Sequence, residues 1–176
     1  MALKRFYDGY GQIELNNVAF RRDGRIEAQC HLDKTDFDKI PAENGMLLAV
    51  DNVTRTVKLP KDNSLPIAIN YTSEHMYDDR ASGLKDFALS KDSFLPRLGY
   101  LAVGDKFTTN CFGSDTLSTV DAVKAAVATG LYGIPCAEGI IKLVTEAPAS
   151  GLSLRAVKAT TMPDGQFALK FQVYAV

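Results

Sequence analysis

The chain has 176 residues, with 20 Lys and Arg against 21 Asp and Glu, for a formal net charge of −1. That length suits one domain or two small ones, and a 46% apolar fraction is too high for general disorder. The charge balance speaks against a nucleic-acid binder, which carries a basic excess or stripe, and no apolar run reaches the ~18 residues of a membrane helix.

The segment Met1 to Gly11 combines Phe6, Tyr7 and Tyr10 with Lys4 and Arg5 and has no clear period. It reads either as an arm that packs on a partner or as a first strand. Ile13 and Leu15, then Val18 and Phe20, form a run broken by Asn16-Asn17. Asp23-Gly24 follows, a hairpin signal between apolar-patterned runs. The return strand is predicted over Arg25–Leu32, with Ile26, Ala28, Cys30 and Leu32 on one face. Thr35–Ile40 is polar and ends at Pro41.

Gly45 opens the continuous apolar run Met46–Val50, and Thr56–Leu59 returns after a turn at Asp51–Arg55. This is a second hairpin, more deeply buried than the first. Leu65–Tyr71 alternates, with Pro66 at the strand start, where no ladder donor is needed. Glu74–Ser93 is charged and weakly patterned. It reads as a surface excursion with at most one helical turn. Gly104-Asp105 marks a turn between two short β runs in Leu98–Asn110.

One helix is predicted, at about residues 118–129. Ser118 or Thr119 caps it, and Val120, Val123, Ala126 and Val127 form its stripe. Gly130 ends it. Strands follow at Ile140–Thr145 and Gly151–Thr160. Met162-Pro163-Asp164-Gly165 is the strongest turn signal in the chain, and Gln166–Val176 alternates with Phe167, Leu169, Phe171 and Val173 inward. About nine short hairpin-linked strands and one helix predict a mainly β fold: an antiparallel β-barrel, β-tulip or sandwich. The expected organisation is an N-terminal arm (1–11), a β domain (12–113) and a helix plus C-terminal β part (114–176) packed on it as one unit.

Little in the sequence points to chemistry. The three cysteines, Cys30, Cys111 and Cys136, cannot close a disulfide framework and form no C-x-x-C pair. They read as reduced thiols in a protein made in the cytosol, and the N-terminus lacks the apolar stretch of a signal peptide. His31 and His75 are the only histidines. His75 lies beside Glu74, Asp78 and Asp79, but the spacing matches no metal motif. No nucleophile elbow, phosphate loop or dinucleotide glycine pattern is present. A hydrolase using Cys111 or Cys136 with His75 is the enzymatic alternative. The expectation is no catalytic residues, no cofactor and no metal.

Pro41-Ala-Glu-Asn-Gly-Met-Leu-Leu-Ala-Val-Asp51, Thr56-Val-Lys-Leu-Pro60 and Leu65-Pro-Ile-Ala-Ile69 resemble segments of tailed-bacteriophage virion proteins. They are similar in particular to small head decoration, or cement, proteins. Ala159–Val173 has the same character. The resemblance covers about half the chain, and its motifs are structural. It implies a non-enzymatic protein of the virion, made in the bacterial host cytoplasm. Such a protein binds the major capsid protein on the capsid exterior, self-associates as a homotrimer and touches neither nucleic acid nor membrane. It further implies an N-terminal arm that docks on the capsid lattice, here Leu3, Arg5, Phe6, Tyr7 and Tyr10. The 118–130 helix has no counterpart in that pattern. The alternative within the same class is a neck, tail-tube or tail-completion protein.

Overall fold

A computed structural model of the chain describes residues 3–61, 64–72, 84–93 and 95–176. In chain order come β1 (Lys4–Arg5), β2 (Ile13–Asn17), α1 (Phe20–Asp23), β3 (Ile26–Glu27), β4 (His31–Leu32) and β5 (Ala42–Glu43). Next are β6 (Leu47–Asp51), β7 (Thr56–Lys58), β8 (Ile67–Asn70), β9 (Ala88–Leu89), β10 (Leu98–Gly99), β11 (Lys106–Thr109) and β12 (Phe112–Ser114). The chain finishes with α2 (Val120–Thr129), β13 (Tyr132–Ile134), β14 (Ile141–Val144), β15 (Ser153–Thr161) and β16 (Phe167–Ala175).

The strands form an eight-stranded sheet, ordered β1-β12-β14-β13-β15-β16-β11-β2, and a six-stranded sheet, ordered β3-β10-β8-β6-β7-β4. A two-stranded sheet joins β5 to β9. The fold is mainly β and sandwich-like, with no closed barrel. Most pairs are antiparallel, as expected, but β12–β14 and β4–β7 run parallel.

The apolar run at Met46–Val50 is explained by burial on two sides. Leu47 and Ile69 belong to the core between the two large sheets, with Phe107, Phe112, Leu154, Leu169 and Phe171. Leu48, Val50 and Ala68 face the other way, into a second core with Cys30, Leu32, Val57, Leu98 and Cys111. A strand covered on both faces has no polar face to alternate with. The β6–β7 hairpin forms as the sequence predicts, with Val50 opposite Val57.

The first predicted hairpin does not form. β2 pairs with β11 in the large sheet, whereas β3 pairs with β10 in the smaller one. Between them the chain changes sheets through the single turn α1. Gly24, at φ 69°, ends that turn, and its N–H donates to the Phe20 carbonyl. The Asp-Gly signal therefore marks a left-handed helix cap rather than a hairpin tip. Phe20 anchors the crossing, fully buried with its ring centroid 5.1 Å from that of Tyr71.

The single return strand over Arg25–Leu32 is also replaced, by β3 and β4 at opposite ends of the smaller sheet. Six strands laid flat would separate those ends by about 24 Å. The chain from Glu27 to His31 reaches only about 14 Å. The sheet must therefore curl back on itself, and the second core fills the inside of the curl.

The predicted helix is α2. Thr119 Oγ1 accepts from the Ala122 N–H at 3.2 Å, and Gly130 closes the other end by donating to the Ala126 carbonyl at 2.9 Å. Val123 and Ala126 are its buried residues. The β15–β16 hairpin turns at Met162–Gly165, where the Met162 N–H donates to the Gln166 carbonyl at 2.8 Å. Of the charged excursion predicted at Glu74–Ser93, residues 74–83 lie outside the described residues. Leu84–Asp86 forms one 3-10 turn.

Candidate functional site

The N-terminal segment is built into the body. β1 pairs with β12, placing Lys4 opposite Ser114 and Arg5 opposite Gly113. The Leu3 N–H donates to Glu138 Oε1 at 3.1 Å. Phe6 packs on Phe112, with ring centroids 5.9 Å apart. The centre of this region is Glu43, 1% exposed at the end of β5. Its carboxylate accepts from Arg5 Nη1 at 2.6 Å, Tyr7 Oη at 2.7 Å and the Gly11 N–H at 2.8 Å. Arg5 also lies over the Tyr7 ring, 5.4 Å from its centroid. A buried carboxylate is tolerated when donors surround it in this way.

Of the five residues expected in a docking arm, Leu3, Arg5, Phe6 and Tyr7 therefore make contacts within the chain. Tyr10 is exposed, at 37%. Its N–H is held by the Lys85 carbonyl at 2.6 Å. In the sequence, Glu43 sits unmarked between Pro41 and Gly45, and only its burial beside a basic, aromatic segment reveals its role.

The same knot contains Cys111, fully buried, with its Sγ 3.8 Å from Tyr7 Oη. Burial and the nearby Glu43 charge push this thiol well above its ordinary value. Burial, then the neighbouring Cys111 and Glu43, push the Tyr7 hydroxyl up as well. Both groups stay protonated and act as hydrogen-bonding members of a core. Cys136 is half-buried and donates to the Ile140 carbonyl at 3.1 Å, and burial raises it too. His31 is exposed on β4. His75, the proposed partner of a reactive thiol, lies outside the described residues with Glu74, Asp78 and Asp79. Among the described residues no three His, Cys, Asp or Glu side chains converge as a metal site.

Two surfaces remain. One is an open, mainly apolar cavity of about 290 Å³ between the sheets, lined by Leu65, Pro66, Tyr100, Pro135, Leu152 and Val176. The other is the outer face of the large sheet. On β15 and β16, Leu154, Ala156, Leu169, Phe171 and Val173 point into the core, so Arg155, Lys170 and Gln172 point out, and a bulge after Ala156 brings Lys158 to the same outer face, opposite Lys170. Lys106 continues this face on β11, opposite Gln172.

Comparison of the chain with protein-family models, with curated proteins and with solved structures finds no match in any of the three. The fold and these surfaces define a mainly β, sandwich-like protein in which no helix of the described residues is long and apolar enough to cross a membrane.

Proposed function

We propose that this chain is a non-enzymatic virion protein of a tailed bacteriophage, one that binds the outside of the capsid and stabilises it. The observation that carries the reading is where the resemblance falls in the fold. Three of its segments supply β6, β7 and β8, with β6 paired between the other two in the smaller sheet. These segments thus form one contiguous stretch of sheet, and the further segment Ala159–Val173 lies in β15 and β16 of the large sheet.

In this reading the partner is the major capsid protein, and copies of the chain associate as a homotrimer. Many weak contacts repeated over a shell give high avidity. The apolar cavity opening beside Val176, with Val103 and Tyr174 also exposed, supports a protein-binding role, because exposed apolar surface favours contact with another protein.

The test is sedimentation of the purified protein with capsids that lack it. Co-sedimentation at a fixed number of copies per shell, with the shells then surviving more heat, is the expected result. Protein left in the supernatant refutes the reading. A few copies per particle, instead of hundreds, moves the protein to the neck or tail.

A further inference from the structure

The outer face of the large sheet carries an arrangement that folding alone does not explain. Register aligns Tyr132, Arg155, Gln172, Lys106 and Asn17 in one row across β13, β15, β16, β11 and β2. The next row sets Lys158 directly opposite Lys170. Neighbouring strands lie about 4.8 Å apart, so the four cations share a patch little more than ~10 Å across. β11, β15 and β16 contain no Asp or Glu. The first carboxylate on the face is Glu14, on the edge strand β2 beyond Thr108.

Several cations elsewhere in the chain are matched with carboxylates. Arg5 pairs with Glu43, Lys58 with Asp51, Lys61 with Asp36, Lys91 with Asp38 and Lys142 with Asp115. Lys106, Arg155, Lys158 and Lys170 have no such partner among the described residues. Like charges directly opposite on adjacent strands destabilise a sheet. Lysine on a strand often serves to block edge-to-edge pairing. That explanation fails here, because β11, β15 and β16 are interior strands. Solvation of an open face fails too, since threonine, glutamine or charges of mixed sign would provide it without repulsion.

We infer that this face is a docking surface for an acidic segment or acidic surface of a partner protein. Carboxylates placed over the patch relieve the repulsion between Lys158 and Lys170 and pair with Arg155 and Lys106. Gln172, Asn17 and Tyr132 supply neutral hydrogen-bonding groups within the same row. A protein partner fits better than a nucleic acid. Four cations within a patch of ~10 Å match a short run of carboxylates but neutralise few of the phosphates along a nucleic acid. This surface is separate from the apolar cavity, and the inference holds whether or not the protein proves to be a virion component.

The test uses the full-length protein and two fluorescent probes, an oligoglutamate peptide and a single-stranded oligothymidylate of equal charge, read by anisotropy. The expected result is salt-sensitive binding of the peptide, stronger than that of the oligonucleotide. The double variant Lys158→Glu/Lys170→Glu is expected to weaken peptide binding at least about tenfold. Arg22→Glu/Lys39→Glu, on exposed positions elsewhere, leaves it unchanged. Lys158→Gln/Lys170→Gln keeps the proposal testable should the charge-reversed protein fail to fold. It is expected to bind the peptide more weakly while melting no lower than the parent. Equal peptide binding by all variants overturns the inference, as does preference for the oligonucleotide.

Discussion

Replacing Glu43 by alanine tests whether the buried knot holds the N-terminal segment in place. The carboxylate is 1% exposed and accepts from Arg5, Tyr7 and Gly11. Glu43→Ala leaves the buried Gly11 N–H without its acceptor, a loss of about 1–3 kcal/mol. The half-buried Tyr7 hydroxyl adds about 1 kcal/mol. The Arg5 side chain is 35% exposed and turns to water at little further expense. The sum is about 2–4 kcal/mol, and for a domain of this size each kcal/mol lowers Tm by about 2–4 °C. A fall centred near ~9 °C is expected, read by far-UV circular dichroism and checked by urea unfolding with an unchanged m value. Glu43→Gln keeps one acceptor oxygen and should fall about half as far. A drop below ~3 °C for the alanine variant would show that water replaces the carboxylate and that the knot contributes little.

Removal of residues 1–10 deletes β1 and two donors to Glu43, so a clear loss of thermal stability is expected. Unchanged melting with weaker capsid binding would instead restore the free-arm reading. Gly45 sits at φ +85°, and an added Cβ would lie 2.3 Å from Thr109 Oγ1 and 2.9 Å from Cys111 Cβ. Gly45→Ala is therefore expected to destabilise by more than ~3 kcal/mol, whereas Gly24→Ala, with open space around it, loses only the ~1–2 kcal/mol of backbone strain. Denaturant melts of the two variants give the comparison. A thiol reagent should label half-buried Cys136 first, though slowly at neutral pH because burial raises its thiol. Cys30, 2% exposed, and Cys111, fully buried, should react only on unfolding, as mass spectrometry would show.

Stability should also fall at both ends of the pH range. Burial, then the Glu27 charge, pushes Cys30 up to about 11, and burial raises Cys111. The folded thiols keep their protons where unfolded ones ionise, so stability declines as pH rises past ~8.5. Hydrogen bonds from Lys58 and Thr54 hold Asp51 below its ordinary value, and Lys142 does the same for Asp115. Their contribution is complete above pH ~4 and is lost as pH falls through the lowered folded values. Melting temperature against pH checks both limbs, and Cys111→Ala should flatten the alkaline one.

Local patterns are legible where strand partners are close in sequence. Val50 and Val57, or Phe167 and Thr161, meet across a short turn, so periodicity and turn residues suffice. Periodicity misleads where the partner is distant. Nothing around Asp23-Gly24 announces that β2 joins β11 while β3 joins β10, because that choice is made by Phe20 burying against Tyr71 and Gly99. Strands of two residues, such as β3 and β4, are too short for any period to show. The surfaces were less legible still. Glu43 looks like any loop glutamate until Arg5 and Tyr7 are folded onto it. The four cations of the outer face lie far apart in the chain and become a patch only through the β15–β16–β11 register.

That long-range pairing also orders events during synthesis. Asn17 is opposite Lys106, which is opposite Gln172, and Lys4 is opposite Ser114. At ribosomal speeds β2 waits on the order of ten seconds for β11 to emerge, and β11 waits again for β16. β6–β7, β13–β14 and β15–β16 can zip locally, and the first of these carries Leu47 on a face whose cover comes mostly after residue 106. A nascent chain paused before residue 106 is thus predicted to expose Leu47 and Ile69, whose core partners Phe107, Phe112, Leu154, Leu169 and Phe171 are not yet made, so that interval is the one in which chaperones bind it or neighbouring chains aggregate.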